Sequence, residues 1–258
     1  MAVPLVAAFA GLLGVNIGSF LNVVAHRLPR GESVVSPPSA CPDCGTGIRA
    51  RHNVPVLGWL VLRGRCYDCG TPISPRYPLV EAGTGLLFLL AAIRLADEPW
   101  LLPAFLAFAA TGVVLAVIDL DVRRLPNAIV LPSYGVLGAL LALDRDGQAL
   151  VRAGLGAAAL FAFFFVVAVA VPGGMGFGDV KLAGLVGGMT AYLSWGALLT
   201  GAFLGFLLGA VAGVLLVVGG REGRKGAVPF GPFMVLGAWA AILGASHLGD
   251  HYLDLVRL

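Results

Sequence analysis

Two kinds of residue in this 258-residue chain have types and spacings that could do chemistry: carboxylates at the ends of apolar runs, and two close pairs of cysteines. Asp119 and Asp121 follow the run Ala116-Val117-Ile118 and precede Arg123-Arg124-Leu125-Pro126-Asn127. Asp179 stands in Gly174-Met175-Gly176-Phe177-Gly178-Asp179-Val180-Lys181. An acid adjoining a membrane-length apolar segment is costly and marks a functional site by default. Two carboxylates in one confined site cannot both ionise easily, so one keeps a proton while the other is a base. That arrangement activates water against a peptide carbonyl. On a helix Asp119 and Asp121 cannot form the pair between themselves, because residues two apart point to nearly opposite sides. The expected pair is Asp119 with Asp179, the preceding glycines taking positive φ to bring backbone close to a substrate strand. These glycines are no dinucleotide fingerprint, which would need a preceding strand and a glycine at 179. The residues alone leave a plainer reading open. Asp179 would cap a helix starting at Val180, and Asp119 or Asp121 would pair with Arg123 or Arg124.

The cysteines read Cys41-Pro-Asp-Cys44 and Cys66-Tyr-Asp-Cys69, with 21 residues between the pairs. Each pair can pinch a metal from one tight turn, and four thiolates complete the tetrahedron that zinc prefers. Gly45 and Gly70 suit the turn after each pair. A four-thiolate site is closed, so it would hold the segment together rather than catalyse. The alternative is two disulfides, which a cytosolic setting disfavours. A redox pair of the thioredoxin kind would need a βαβ unit, and none is read here.

These residues must be positioned by a very apolar chain. AVILMFWYC make up 59% of it and charged residues only 12%, with a mean hydropathy of +0.92. Soluble domains carry about 45–50% apolar and about 25% charged residues, so disorder, a coiled coil and a secreted disulfide scaffold are excluded. A net charge of +3 is too small and dispersed for nucleic acid. The expected fold is an all-α polytopic membrane protein. Spans of about 20 apolar residues fall near 3–24, 79–95, 100–118, 126–143, 149–171, 180–194, 195–219 and 228–248. Eight is the expected number; seven is the fallback, because 180–194 is short and Gly-rich.

The division expected is a first helix at 1–24, a soluble four-cysteine segment at 25–78, and a membrane core at 79–258. With 25–78 inside, Lys and Arg number 13 on the inner side and 4 on the outer. That places the cysteine segment and the 119–125 loop in the cytoplasm and both termini outside. The first helix lacks a basic residue before its apolar run, so it reads as an anchor rather than a cleaved signal.

Other polar residues are read structurally. Asn16, Ser19 and Asn22 share one side of the first helix, as interhelical hydrogen-bonding groups or as a substrate groove. Glu81 would pair with Arg76 or accept a substrate amide. Gly201, Gly205, Gly209 and Gly213 form a stripe suited to close helix packing. The four histidines lack the spacing of a metal set or triad, and Ser19 and Ser194 lack a base partner.

Taken together, the motifs resemble the bacterial prepilin leader peptidases, which are bifunctional type IV prepilin peptidases and N-methyltransferases. The likeness runs through Gly18-Ser19-Phe20-Leu21-Asn22-Val23-Val24 with His26-Arg27-Leu28-Pro29, the paired cysteines, Arg76-Tyr77-Pro78-Leu79-Val80-Glu81, Ile118-Asp119 to Asn127, Gly174 to Lys181, and Pro229-Phe230-Gly231-Pro232-Phe233. The resemblance implies a GxGD-type aspartic peptidase of the bacterial inner membrane. It implies Asp119 and Asp179 as the catalytic pair and Cys41, Cys44, Cys66 and Cys69 as zinc ligands. The implied substrates are prepilins or pseudopilins, cut after a glycine ending a short basic leader. The new N-terminus would then be methylated from S-adenosylmethionine. Asn127 departs from the family, which commonly has aspartate there, so that position is not expected to be essential. Two further readings stay open: a peptidase without methyl transfer, and a membrane scaffold or transporter with a zinc docking loop.

Overall fold

The computed structural model describes residues 2–171, 175–219 and 229–256. Gly174 of the glycine motif and the cations Arg221, Arg224, Lys225 and Arg257 used in the charge count lie outside the described residues. Among those described, the regular structure is helical, apart from two isolated antiparallel bridges. Among the described residues, seven helical segments are long and apolar enough to cross a membrane, as expected of continuous apolar runs that must satisfy their own backbone in lipid. The expected span at 180–194 forms a helix of 17 residues, Phe177–Leu193, shorter than those seven.

The chain divides into two compact units, residues 1–102 and 103–258. In the first, α1 (Ala2–Arg27) and α3 (Arg76–Arg94) run antiparallel. Their contact is built on small residues. A Cβ on Gly18 would lie 2.8 Å from the Glu81 Cα, and one on Gly14 would lie 2.8 Å from Phe88. The amide of Asn22 donates to the Tyr77 carbonyl at 3.2 Å, so this residue is interhelical glue. Asn16 instead donates to Leu12 of its own helix. Between α1 and α3 lies the cysteine segment, which contains one short helix, α2 (Leu57–Val61).

The second unit holds α4 (Leu102–Val122), α5 (Asn127–Leu141), α6 (Gly147–Ala170), α7 (Phe177–Leu193), α8 (Trp195–Val218), α9 (Gly231–Ala240) and α10 (Ser246–Val256). Its core lies along α4 and α7, where Phe105, Phe108, Leu115, Ile118, Val180 and Leu182 are fully buried. Phe108 stacks on Trp239 of α9 with ring centroids 5.8 Å apart. The outer helices show lipid the residues that a soluble protein would hide, such as Phe163 and Val166 on α6 or Phe203 and Leu215 on α8. Gly201, Gly205 and Gly209 of the α8 stripe lie against α9 and the Phe230 before it, while no described residue lies within 4 Å of a Cβ at Gly213. The stripe is therefore a packing device. Asp146 caps α6, its Oδ1 accepting the N–H groups of Gln148 at 2.9 Å and Ala149 at 3.0 Å. Arg152 closes the far end of α7 by donating to the carbonyls of Ala191, Tyr192 and Leu193.

Candidate active site and metal centre

Asp119 sits on the last turn of α4 and is only 5% exposed. Its Oδ2 accepts the Gly231 N–H at 3.0 Å, at the first turn of α9. A free N–H at a helix start is a fitting donor to a carboxylate. A Cβ on Gly231 would stand 2.9 Å from this oxygen and 3.5 Å from Leu182 of α7, so α4, α7 and α9 meet at the Asp119 carboxyl. Asp121, two residues on, is exposed, as the opposite-side argument requires.

Asp179 lies in the first turn of α7. Helix α7 begins at Phe177 rather than at Val180, so the capping expected of Asp179 takes another form. Its Oδ2 accepts the Gly176 N–H at 3.3 Å, reaching back to the residue before the helix. Capping occupies one oxygen only. The other, Oδ1, is buried and has no hydrogen-bond partner among the described residues. An unpaired buried carboxylate oxygen is expensive and is the feature a cap alone does not explain. The Asp119 charge acts on Asp179, so the structure brings the two expected carboxylates to one corner of the second unit.

The glycines serve a purpose other than the one expected. Neither Gly176, with φ −76°, nor Gly178 is among the positive-φ residues. Gly178 is instead a matter of space: a Cβ there would lie 2.9 Å from the Leu125 Cβ. That contact lets the chain after α4 press on the first turn of α7. Lys181 donates to Asn127 Oδ1 at 2.7 Å and lies 4.8 Å from the centre of the Phe177 ring. The Tyr134 hydroxyl donates to the Lys181 carbonyl at 2.5 Å. Asn127 and Tyr134 of α5 thus fix α7 on the side away from Asp179. Sequence reasoning missed the Gly231 donor and this clamp. The Pro229-to-Phe233 motif and Lys181 were visible, but a backbone N–H and a long-range hydrogen bond have no local signature.

The four cysteine sulfurs of the first unit all lie within 4.8 Å of one another. Cys41 and Cys69 Sγ are 3.8 Å apart, too far for a disulfide at about 2.05 Å. A tetrahedron with metal–sulfur bonds of about 2.3 Å has edges of about 3.8 Å, so the set fits a four-thiolate ion. The cysteines are free thiols. The two turns repeat each other. Cys41 N–H donates to Thr46 and Gly45 N–H to Cys41, at 3.0 and 2.9 Å; Cys66 N–H donates to Thr71 and Gly70 N–H to Cys66, at 2.8 and 3.0 Å. Gly45 and Gly70 take φ of 71° and 75°, which glycine adopts without a Cβ clash. The N–H groups of Cys69 and Asp68 hold the Cys66 thiol below its ordinary pKa, and Thr71 does the same for Cys69. These two shifts favour thiolate, the ligand form, whereas burial and the neighbouring Cys44 and Cys66 sulfurs push the Cys41 thiol up to about 11. Arg49 braces the second turn, pairing with Asp68 at 2.7 Å and lying 4.4 Å over the Tyr67 ring. Glu81, 8% exposed, accepts the Val56 N–H at 2.6 Å; the amide it takes belongs to its own chain.

Comparison with known proteins gives two family matches. Residues 12–95 match the bacterial peptidase A24 N-terminal domain, and residues 104–215 match the type IV leader peptidase family. The chain is 36% identical to a prepilin leader peptidase/N-methyltransferase of Aeromonas hydrophila, across 94% of this chain and 92% of that protein. It is 41% identical to one from Myxococcus xanthus, across 86% and 67%. A third, from Stutzerimonas stutzeri, is 32% identical across 96% and 93%. No solved structure matches the chain.

Proposed function

Because the chain belongs to the type IV leader peptidase family, we propose that it removes the leader of prepilins or pseudopilins and methylates the new N-terminus. Leader cleavage and N-methyl transfer are the activities for which its relatives are named. The substrate is a chain with a short basic leader, cut after glycine. In this reading residues 79–258 carry the cleavage chemistry.

Asp119 and Asp179 are the catalytic pair. The observation that carries this is the buried Oδ1 of Asp179, without a hydrogen-bond partner among the described residues, in the field of Asp119. The Gly231 N–H favours Asp119 as the ionised member. Asp179, with an oxygen lacking a donor among the described residues, keeps the shared proton. Asp119 takes a proton from water as that water attacks the scissile carbonyl, while Asp179 gives its proton to the carbonyl oxygen. Collapse of the tetrahedral diol returns one proton to Asp179 and delivers the other from Asp119 to the leaving amine. Leader and mature chain separate, and both carboxyl groups end as they began.

The four cysteines hold zinc as a structural ion; a closed thiolate shell leaves no position for water. Methyl transfer takes S-adenosylmethionine as donor. The protein is a multi-pass protein of the bacterial inner membrane. By the excess of Lys and Arg, its cysteine segment and both aspartates face the cytoplasm and its N-terminus lies outside.

The test is cleavage of a purified prepilin by Asp119→Asn and Asp179→Asn in vesicles. Each should be inactive yet correctly inserted, while Asp121→Asn should be milder. Full cleavage by either of the first two would remove the assignment.

A further inference from the structure

The cysteine segment carries an apolar face that nothing within the described residues covers. Helix α2 shows Leu57, Leu60 and Val61 at 59%, 54% and 76% exposure. Their i, i+3, i+4 spacing puts all three on one side of the helix. The other side is committed to the segment itself. Gly58 is buried against the His52 carbonyl, and the Trp59 indole N–H donates to the Ile73 carbonyl at 3.0 Å. The helix is therefore fixed with its apolar side outward, the reverse of what water favours.

Its location says what it meets. Val56, immediately before α2, takes φ 62°, unusual for a β-branched residue. In that conformation its N–H reaches Glu81 at 2.6 Å. Glu81 is buried in the second turn of α3, one of the membrane-length helices, roughly 8 Å along it from Arg76 at 1.5 Å per residue. The start of α2 is thus pinned to the part of α3 that enters the bilayer. Around it the charge is one-sided. Residues 25–78 hold seven arginines against Glu32, Asp43 and Asp68. Asp68 is already paired with Arg49, while Arg51, Arg63 and Arg65 are exposed.

We propose that this face is a membrane-docking surface: α2 lies in the bilayer interface with Leu57, Leu60 and Val61 among the acyl chains and Arg51, Arg63 and Arg65 on anionic lipid headgroups. An amphipathic element of this composition binds through apolar insertion and attraction to anionic lipid together. Docking would add to the pin at Glu81 and hold the metal-bearing segment at the membrane surface.

The experiment uses the full chain in vesicles of phosphatidylcholine alone, or with phosphatidylglycerol added. Benzoylphenylalanine replaces Val61, Leu5 on exposed α1, or exposed Pro42 beside the first cysteine. After irradiation, mass spectrometry reads the adducts. Lipid adducts are expected at 61 and at 5 and not at 42. Changing Arg51, Arg63 and Arg65 together to Gln should lower the yield at 61 by roughly fivefold or more in the anionic vesicles, from the attraction of each basic group to such a surface. It should leave the yield in neutral vesicles and the bound metal unchanged. Absence of lipid at 61 while Leu5 is labelled would overturn the proposal. So would adducts at 61 to a second copy of the chain, or an unchanged yield in the arginine variant.

Discussion

Gly231→Ala tests whether the Asp119 carboxylate is set by one backbone donor. The added Cβ would stand 2.9 Å from Asp119 Oδ2, inside the 3.3–3.6 Å of even close C–H···O contacts, so the carboxylate must retreat by about half an ångström. That stretches the 3.0 Å bond from the Gly231 N–H toward a length where it ceases to be a hydrogen bond. Hydrogen bonds to charged groups contribute about 1.5–3 kcal/mol. At tenfold per 1.36 kcal/mol, cleavage should slow by roughly 10- to 150-fold. The added Cβ overpacks a buried corner, so a somewhat lower melting temperature is expected, and cleavage is compared on protein that is correctly inserted and folded at the assay temperature. Gly213→Ala is the control, because no described residue lies within 4 Å of a Cβ there. The assay is single-turnover cleavage of a prepilin in vesicles, with substrate affinity measured separately. Wild-type cleavage by Gly231→Ala, or an equal loss in Gly213→Ala, would refute the reasoning.

Purified protein should carry about one zinc per chain, as a tetrahedral four-thiolate set requires; metal analysis showing none, with the thiols in disulfides, would reverse that claim. Cys41→Ser or Cys66→Ser should release the ion and open residues 41–69 to limited proteolysis. Gly184→Ala would drive a Cβ into the Tyr134 hydroxyl and break its bond to the Lys181 carbonyl. Overpacking of this kind costs about 1–3 kcal/mol, read as a melting temperature lower by roughly 2–10 °C in detergent. Cys44→Ser with Cys69→Ser should reduce N-terminal methylation of a processed pilin more than its cleavage. Mass spectrometry of that pilin would show otherwise if every N-terminus were still methylated.

By itself the sequence determined what depends on composition and short spacing. Continuous apolar runs can satisfy their backbone in lipid only as helices, so the all-helical membrane architecture followed from them. The paired Cys-x-x-Cys turns, each closed by a glycine, made the sulfur cluster legible because a two-residue spacing brings both sulfurs of a pair together locally. Asp119 and Asp179 stood out because a carboxylate beside a membrane-length run is rare. Tertiary structure alone decided what those residues touch. The Gly231 N–H that meets Asp119 comes from 112 residues away, and a backbone donor looks the same at every position in a sequence. Gly178 looked like a source of positive φ until packing showed that it makes room for Leu125. The helix of 17 residues at Phe177–Leu193 read as the weakest span because it is short and rich in glycine. Burial shows the reason: Val180, Leu182 and Ala183 are fully enclosed, so α7 owes its place to close packing against its neighbours, a property no single-segment pattern records.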